Sequence, residues 1–225
     1  MHEVRRGLLA TAPLAPGVAA FGLLYGILAR QAGLTPFQTW AMSMTVFAGS
    51  AQFVAVGMWG ANGALPIIVT TFVLNLRHLL MGLSIGPYLA GLRTRWKAAL
   101  AFWMTDEAYA LAIAEYRQGR GTHHYFLGAG LGIYLIWPIS GLIGALAGTA
   151  VSDPARWGLD IIFPLTFLGL LVTFLDDRVS IVVALAAGVI ALAASLLLPG
   201  TWYIIVAGIL ASMLGLLLEQ RTAEA

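Results

Sequence analysis

The chain has 225 residues, of which 60% are hydrophobic and only 10% charged. With a mean hydropathy of +0.89, this composition excludes an ordinary soluble domain. A formal net charge of +2 is too small to suggest a nucleic-acid partner, and without cysteine there is no disulfide, thiolate metal site or cysteine nucleophile.

Hydrophobic segments run over residues 8–29, 39–60, 65–92, 98–116, 124–150, 157–175, 179–198 and 201–218. A bilayer-crossing helix needs ~20 apolar residues. Short turn-forming or charged clusters separate the segments, such as Gly33-Leu34-Thr35-Pro36, Arg93-Thr94-Arg95 and Asp176-Asp177-Arg178. No ten-residue alternating pattern suggests barrel strands. The fold class expected is therefore an all-α polytopic integral membrane protein with about seven to eight segments, forming a single transmembrane domain over residues 1–225. No internal repeat is apparent.

The first segment resembles a signal peptide at its start, where Arg5 and Arg6 precede an apolar run and Val18-Ala19-Ala20 supplies small residues. The apolar character continues through Phe21, Leu24, Tyr25 and Ile27, which favours a retained span.

The second segment contains Ala48-Gly49-Ser50-Ala51-Gln52. Four small residues in a row let another backbone approach closely, or let the helix unwind. Exposed carbonyls there, beside the amide of Gln52, would suit a small zwitterion. Close helix packing with one satisfied glutamine is the other reading.

The third segment holds Asn75-Leu76-Arg77-His78 near the middle of an apolar stretch from Pro66 to Leu92. An arginine at mid-depth costs from roughly 3 to more than 10 kcal/mol unless a partner or water receives it. On an unbroken helix Thr71, Asn75, His78, Gly82 and Gly86 share one stripe, while Thr70, Arg77 and Ser84 lie opposite. Polar groups on both faces predict burial inside the bundle. Either they line a polar path, or they act as structural glue with Gly82 and Gly86 packed on a neighbour.

The fourth segment carries Thr105-Asp106-Glu107-Ala108-Tyr109. Two adjacent carboxylates at depth want cations or a proton, and Arg77 and His78 are the deep cationic candidates of the other segments. Pairing with Arg77 or carriage of a coupling proton is expected, with a structural ion pair as the alternative.

Loop charges bear on topology. Eight plain crossings place six loop cations on one side and five on the other, whereas a bias is expected. If one segment between 39 and 92 is re-entrant and 98–116 also returns to its own side, the split becomes nine against two. One or two broken or re-entrant segments are therefore expected, and they are the ones that carry the polar residues.

The later chain has mainly structural readings. Trp137-Pro138 should kink the fifth segment. Gly128 with Gly132 and Gly144 with Gly148 suit close helix packing. Thr166, Gly169 and Thr173 share one face of the sixth segment, where packing is the favoured role. Trp40, Trp59, Trp96, Trp157 and Trp202 lie near segment ends, as interface anchors do. His123 and His124 read as solvated loop residues and a poor metal site.

The ordered set Phe47-Ala48-Gly49-Ser50-Ala51-Gln52-Phe53, Asn75-Leu76-Arg77-His78 and Thr105-Asp106-Glu107-Ala108 resembles the AzlC family, the large subunits of branched-chain amino acid exporters. Pro16-Gly17, Phe21-Gly22 with Gly26, Leu159-Asp160 and Phe163-Pro164 fit the same pattern, so the resemblance covers residues 10 to 220. It implies export of leucine, isoleucine, valine and sometimes methionine across the bacterial inner membrane. It also implies a small AzlD-type membrane subunit as partner.

Together these readings give a multi-pass secondary-transporter subunit coupled to an ion or proton gradient, with no cofactor, no metal and no catalytic residue. The substrate- or ion-path candidates are Gly49, Ser50, Gln52, Asn75, Arg77, His78, Asp106 and Glu107. A channel would more naturally show a ring of one charge type. An intramembrane serine enzyme would need an activated pair such as Ser50 or Ser84 with His78, and no nucleophile-elbow motif is present.

Overall fold

A computed structural model of the chain describes residues 1–60, 63–148, 168, 171–172, 175, 177–198 and 202–223. Helices dominate, and no strand occurs among the described residues. The sixth hydrophobic segment lies almost wholly outside them, and so do Trp157, Leu159-Asp160, Phe163-Pro164, Thr166, Gly169 and Thr173.

The chain divides into two compact units. The first comprises residues 1–56 and 74–152. Its axis is α9, His123–Ala147, a 25-residue helix that continues through Pro138. Helices α1, His2–Ala10, and α2, Ala15–Gln31, meet at a 68° bend. Both advance along α9 in its own chain direction. Gly128 abuts the Val4 carbonyl, Gly132 the Thr11 side chain, Gly144 the Leu23 carbonyl, and Gly148 the Arg30 side chain. A Cβ at Gly128 or Gly144 would overlap backbone, so the glycine pairs give the close approach their spacing predicts.

The second and fourth segments are broken. Helix α3, Pro36–Thr45, opens with a capping box in which Thr35 and Gln38 satisfy each other's backbone N–H groups. It ends before Phe47, whose φ of 44° is left-handed, a strained conformation for a bulky residue. Helix α4, Gly49–Gly57, follows. Of the small residues, Ala48 lies in the break, while Gly49, Ser50 and Ala51 stay helical and form the first turn of α4. Ser43 and Gln52 hydrogen-bond at 3.0 Å, although a straight helix would separate residues nine apart by ~13.5 Å. The chain therefore doubles back at residues 46–48.

The fourth segment does likewise. Helix α7, Thr94–Phe102, breaks at 103–105, and α8, Asp106–Arg117, begins where Thr105 accepts the Ala108 N–H. Trp96 at the start of α7 lies against His123 and His124. Trp103 packs on Gly130 and on the Tyr134 ring at 4.5 Å. Glu115 in the last turn of α8 returns to Arg6 and Arg120. This segment enters from the His123 end of α9, reaches its middle and comes back.

Hairpin α3–α4 enters from the other end, because α3 follows α2, whose last turn lies at Gly148. The two tips meet at Tyr134. Its hydroxyl donates to the Met44 carbonyl at 3.0 Å, and its ring packs on Phe47 at 4.9 Å and on Phe102 at 6.0 Å.

The third hydrophobic segment is a continuous helical run, Ala64–Leu89, of which residues from 74 on belong to the first unit. It is built from α5, Ala64–Asn75, α6, Arg77–Ile85, and a 3₁₀ turn at Gly86–Leu89. Only 6% of its most apolar window is buried, against the expectation of a bundle-interior element. Leu79, Leu80 and Leu83 point outward, and Gly82 and Gly86 face open space. Neither glycine is therefore a packing contact among the described residues.

The second unit comprises residues 57–73 and 153–225. Its described helices α10, Arg178–Leu197, and α11, Trp202–Ala223, pack together, with Gly215 against Val183. Asp177 caps α10 by accepting the Ser180 N–H at 2.7 Å. Among the described residues, four helices are long and apolar enough to cross a membrane, or five if the bent α1–α2 pair counts as one span. The expected seven to eight hydrophobic segments are not confirmed as spans among the described residues, because the sixth lies almost wholly outside them and the second and fourth are each two short helices.

Candidate functional site

Arg77 begins α6 at the level where the hairpin tips meet. Helix α6 runs parallel to α8, as Arg77 pairs with Asp106, Ser84 accepts from Tyr109 at 2.8 Å, and Tyr88 stacks on Tyr116 at 5.1 Å. One guanidinium nitrogen of Arg77 lies 2.9 Å from Asp106 Oδ2, and the other donates to Ser50 Oγ at 2.5 Å. A single arginine thus bridges the first turn of α4 and the first residue of α8. The N-terminal ends of these half-helices carry unpaired N–H groups and partial positive charge. Asp106 offsets both that charge and the arginine.

The pair is not sealed. The side chains of Arg77 and Asp106 are 29% and 42% exposed in the isolated chain. Two polar atoms beside them are enclosed yet unpartnered: Asn75 Oδ1, an acceptor, and Arg77 Nε, a donor. Such orphans are rare in proteins and call for an explanation. The only other buried side-chain orphan among the described residues, Thr70 Oγ1, lies on the same helical segment.

The remaining candidates separate into two groups. His78 is half-buried, and its Nδ1 lies 3.2 Å from the Asn75 carbonyl. It therefore props the turn between α5 and α6, while the Ser50 hydroxyl is taken by Arg77. Glu107 sits beside Asp106 in the first turn of α8, half-exposed, and joins no salt bridge among the described residues.

Gln52 belongs to the framework. It is wholly buried. Its Oε1 accepts from Trp137 Nε1 at 2.9 Å, and its Nε2 donates to Ser43 Oγ at 3.0 Å. Tyr25, also enclosed, stacks on Trp137 and donates to the Thr39 carbonyl at 3.3 Å. This network holds α4 against α9, and Gly49 admits the Trp137 ring, which a Cβ would meet at 3.0 Å.

Sequence reasoning missed Trp137, Tyr134, Ser43 and Tyr25. The available signal was a polar-tipped aromatic in the middle of an apolar helix, which must find a hydrogen-bond partner when buried.

At the His123 end of α9, Glu115 accepts from Arg6 at 2.6 Å and from Arg120 at 3.0 Å. The hydrogen bond from Arg120 and the charges of both arginines hold its carboxyl below the usual glutamate range. His123 and His124 are packed by Trp96 and so are not freely solvated. No group of three or more potential metal ligands occurs among the described residues.

A helical chain with membrane-length apolar helices, two opposed helical hairpins and one arginine between their tips has the build of an integral membrane transport protein. The AzlC protein family model matches residues 13–151, and the chain belongs to that family. It is 29% identical over 195 residues to an uncharacterized membrane protein of Archaeoglobus fulgidus, covering 86% of this chain and 85% of that one. The inner membrane protein YgaZ of Escherichia coli is 28% identical over 169 residues, with 72% and 69% covered. The branched-chain amino acid transport protein AzlC of Bacillus subtilis is 29% identical over 162 residues, with 70% and 62% covered. No solved structure matches.

Proposed function

We propose that this chain is the large subunit of a secondary exporter for branched-chain amino acids. It would move leucine, isoleucine, valine and methionine out across the bacterial inner membrane, driven by an ion or proton gradient. It would act with a small AzlD-type membrane subunit. The observation that carries the reading is the juxtaposition of one orphan acceptor, Asn75 Oδ1, and one orphan donor, Arg77 Nε, between two hairpin tips. An amino acid backbone offers the complement, with an ammonium to donate and a carboxylate to accept.

Arg77 would hold the substrate carboxylate by a charge-assisted fork, displacing Asp106. Asp106, and Glu107 beside it, would then balance the site or carry the coupling ion. Ser50 and His78 would fix the arginine and the Asn75 turn, and Gly49 and Gln52 would position the α4 end from behind. A side chain with a second charge would not be desolvated cheaply in such apolar surroundings, which favours aliphatic substrates.

Placing the His123 end of α9 in the cytoplasm gathers Arg5, Arg6, Arg93, Arg95, Lys97, Arg117 and Arg120 there, as the positive-inside rule expects. The test is efflux from cells expressing the chain with an AzlD-like partner. Internal valine and leucine should fall and resistance to toxic analogues should rise. Arg77→Met and Asn75→Ala should abolish both effects at normal membrane levels of protein. Unchanged valine and leucine efflux with the intact pair would refute the substrate assignment.

A further inference from the structure

The two hairpins are fastened by different chemistry. Hairpin α3–α4 is held from inside by neutral groups: Gln52, Ser43 and Thr39 are fully enclosed, and Trp137 and Tyr25 complete the network. Breaking it would strand several donors and acceptors away from water, and each stranded group bears the full desolvation penalty. Hairpin α7–α8 is fastened by charge at its two extremities. At the tip Asp106 meets Arg77. At the rim Glu115 meets Arg6 and Arg120.

The rim contacts tie four parts together. Arg6 on α1 also bonds Glu3 at 3.1 Å and lies over the Tyr125 ring on α9 at 4.8 Å. Thr122 at the start of α9 donates to Glu3 at 3.3 Å, and Arg120 lies in the loop that leads from α8 to α9. Partly exposed ion pairs of this kind exchange with water at little cost. Between rim and tip one exposed hydrogen bond, from Tyr109 to Ser84 at 2.8 Å, joins the hairpin to α6, and the rest of its seat is an apolar cluster that includes Ala108, Ala112, Ile113, Phe126 and Ala129. The partners of an exposed hydrogen bond can turn to water when the hairpin moves away.

We propose that α7–α8 is the moving gate between the Arg77 site and the His123 end of the protein, that Arg6–Glu115–Arg120 is its latch, and that α3–α4 is the fixed wall. The proposal rests on the transport reading of the Arg77 site. A substrate carboxylate that takes Arg77 frees Asp106, so the tip lets go when the site fills. The rim latch then sets how readily the hairpin swings.

The chain lacks cysteine, so single reporters are clean. Ala112→Cys lies on the gate and Ala51→Cys on the fixed wall, both at positions enclosed in this structure. Each is exposed to a membrane-impermeant maleimide from either side of the membrane. Glu115→Gln and Arg6→Gln should each raise the labelling rate of Ala112→Cys about fivefold from the His123 side only, the scale of losing a partly exposed ion pair. Ala51→Cys should be unaffected. Arg6→Lys, which keeps the charge, should stay near the unmodified rate, which separates unlatching from general loosening. Unchanged labelling of Ala112→Cys, or an equal rise at Ala51→Cys, would overturn the proposal. No amino acid is needed for this readout. A chain that moves no leucine could still show the latch, and a chain that moves leucine could lack it.

Discussion

Replacing Arg77 by methionine removes the charged link between the two half-helix ends, and the structure sets the size of the effect. A fully buried ion pair, broken on one side, costs about 3–5 kcal/mol. An exposed one is worth about 0–1 kcal/mol. Arg77 and Asp106 are 29% and 42% exposed, so the coupling between them should fall between these limits, at about 1–2 kcal/mol. The bond from Arg77 to Ser50 is separate and adds about 1 kcal/mol to the single Arg77→Met change. The assay is a double-mutant cycle over Arg77→Met and Asp106→Asn, read by reversible unfolding in nanodiscs. The double variant should be more stable than the sum of the single losses by that coupling. A coupling below about 0.3 kcal/mol, the ordinary error of additivity, would refute the pairing.

Gln52→Leu should cost about 2–4 kcal/mol, because it leaves the Trp137 indole N–H and the Ser43 hydroxyl enclosed without partners; thermal unfolding measures it. Gly144→Ala should lose folded protein, since its Cβ would overlap the Leu23 carbonyl. Gly82→Ala, facing open space in α6, should be neutral or stabilise by up to about 1 kcal/mol. Glu115 has its pKa depressed in the folded chain, so its contribution to stability is present above the ordinary glutamate pKa and lost as pH falls through the depressed value. Stability should therefore be flat in this respect between pH 6 and 8 and decline only in acid. Glu115→Gln should remove that acid decline.

Much of the site was legible in the chain. Arginine and carboxylates inside apolar segments announced themselves by cost, and Arg77 with Asp106 is the pair that economy of charge suggests. The break at 103–105 falls in the segment that the loop charges favoured turning back, and the break at 46–48 in one of the two segments between 39 and 92 among which they left the choice open. What was not legible depends on contacts distant in sequence. Gln52 looked like a ligand group because its partners, Ser43 and Trp137, are nine and 85 residues away. Ala64–Leu89 looked buried because it is polar on two faces. In the structure the faces bearing Arg77 and Ser84 are met by the α4 and α8 ends, while Leu79, Leu80 and Leu83 are exposed. The opposed entry of the two hairpins leaves no trace as a sequence repeat. One is fastened by an amide network and the other by ion pairs, so they share a path and not a composition.

Counterflow in proteoliposomes containing the chain and an AzlD-like partner bears most directly on the transport assignment. Vesicles preloaded with unlabelled leucine should take up labelled leucine transiently above equilibrium. Valine and isoleucine should compete, lysine and glutamate should not, and Arg77→Met should abolish the overshoot. Absence of an overshoot with the intact pair, or an equal overshoot with Arg77→Met, would contradict a carrier that grips the amino acid at this arginine.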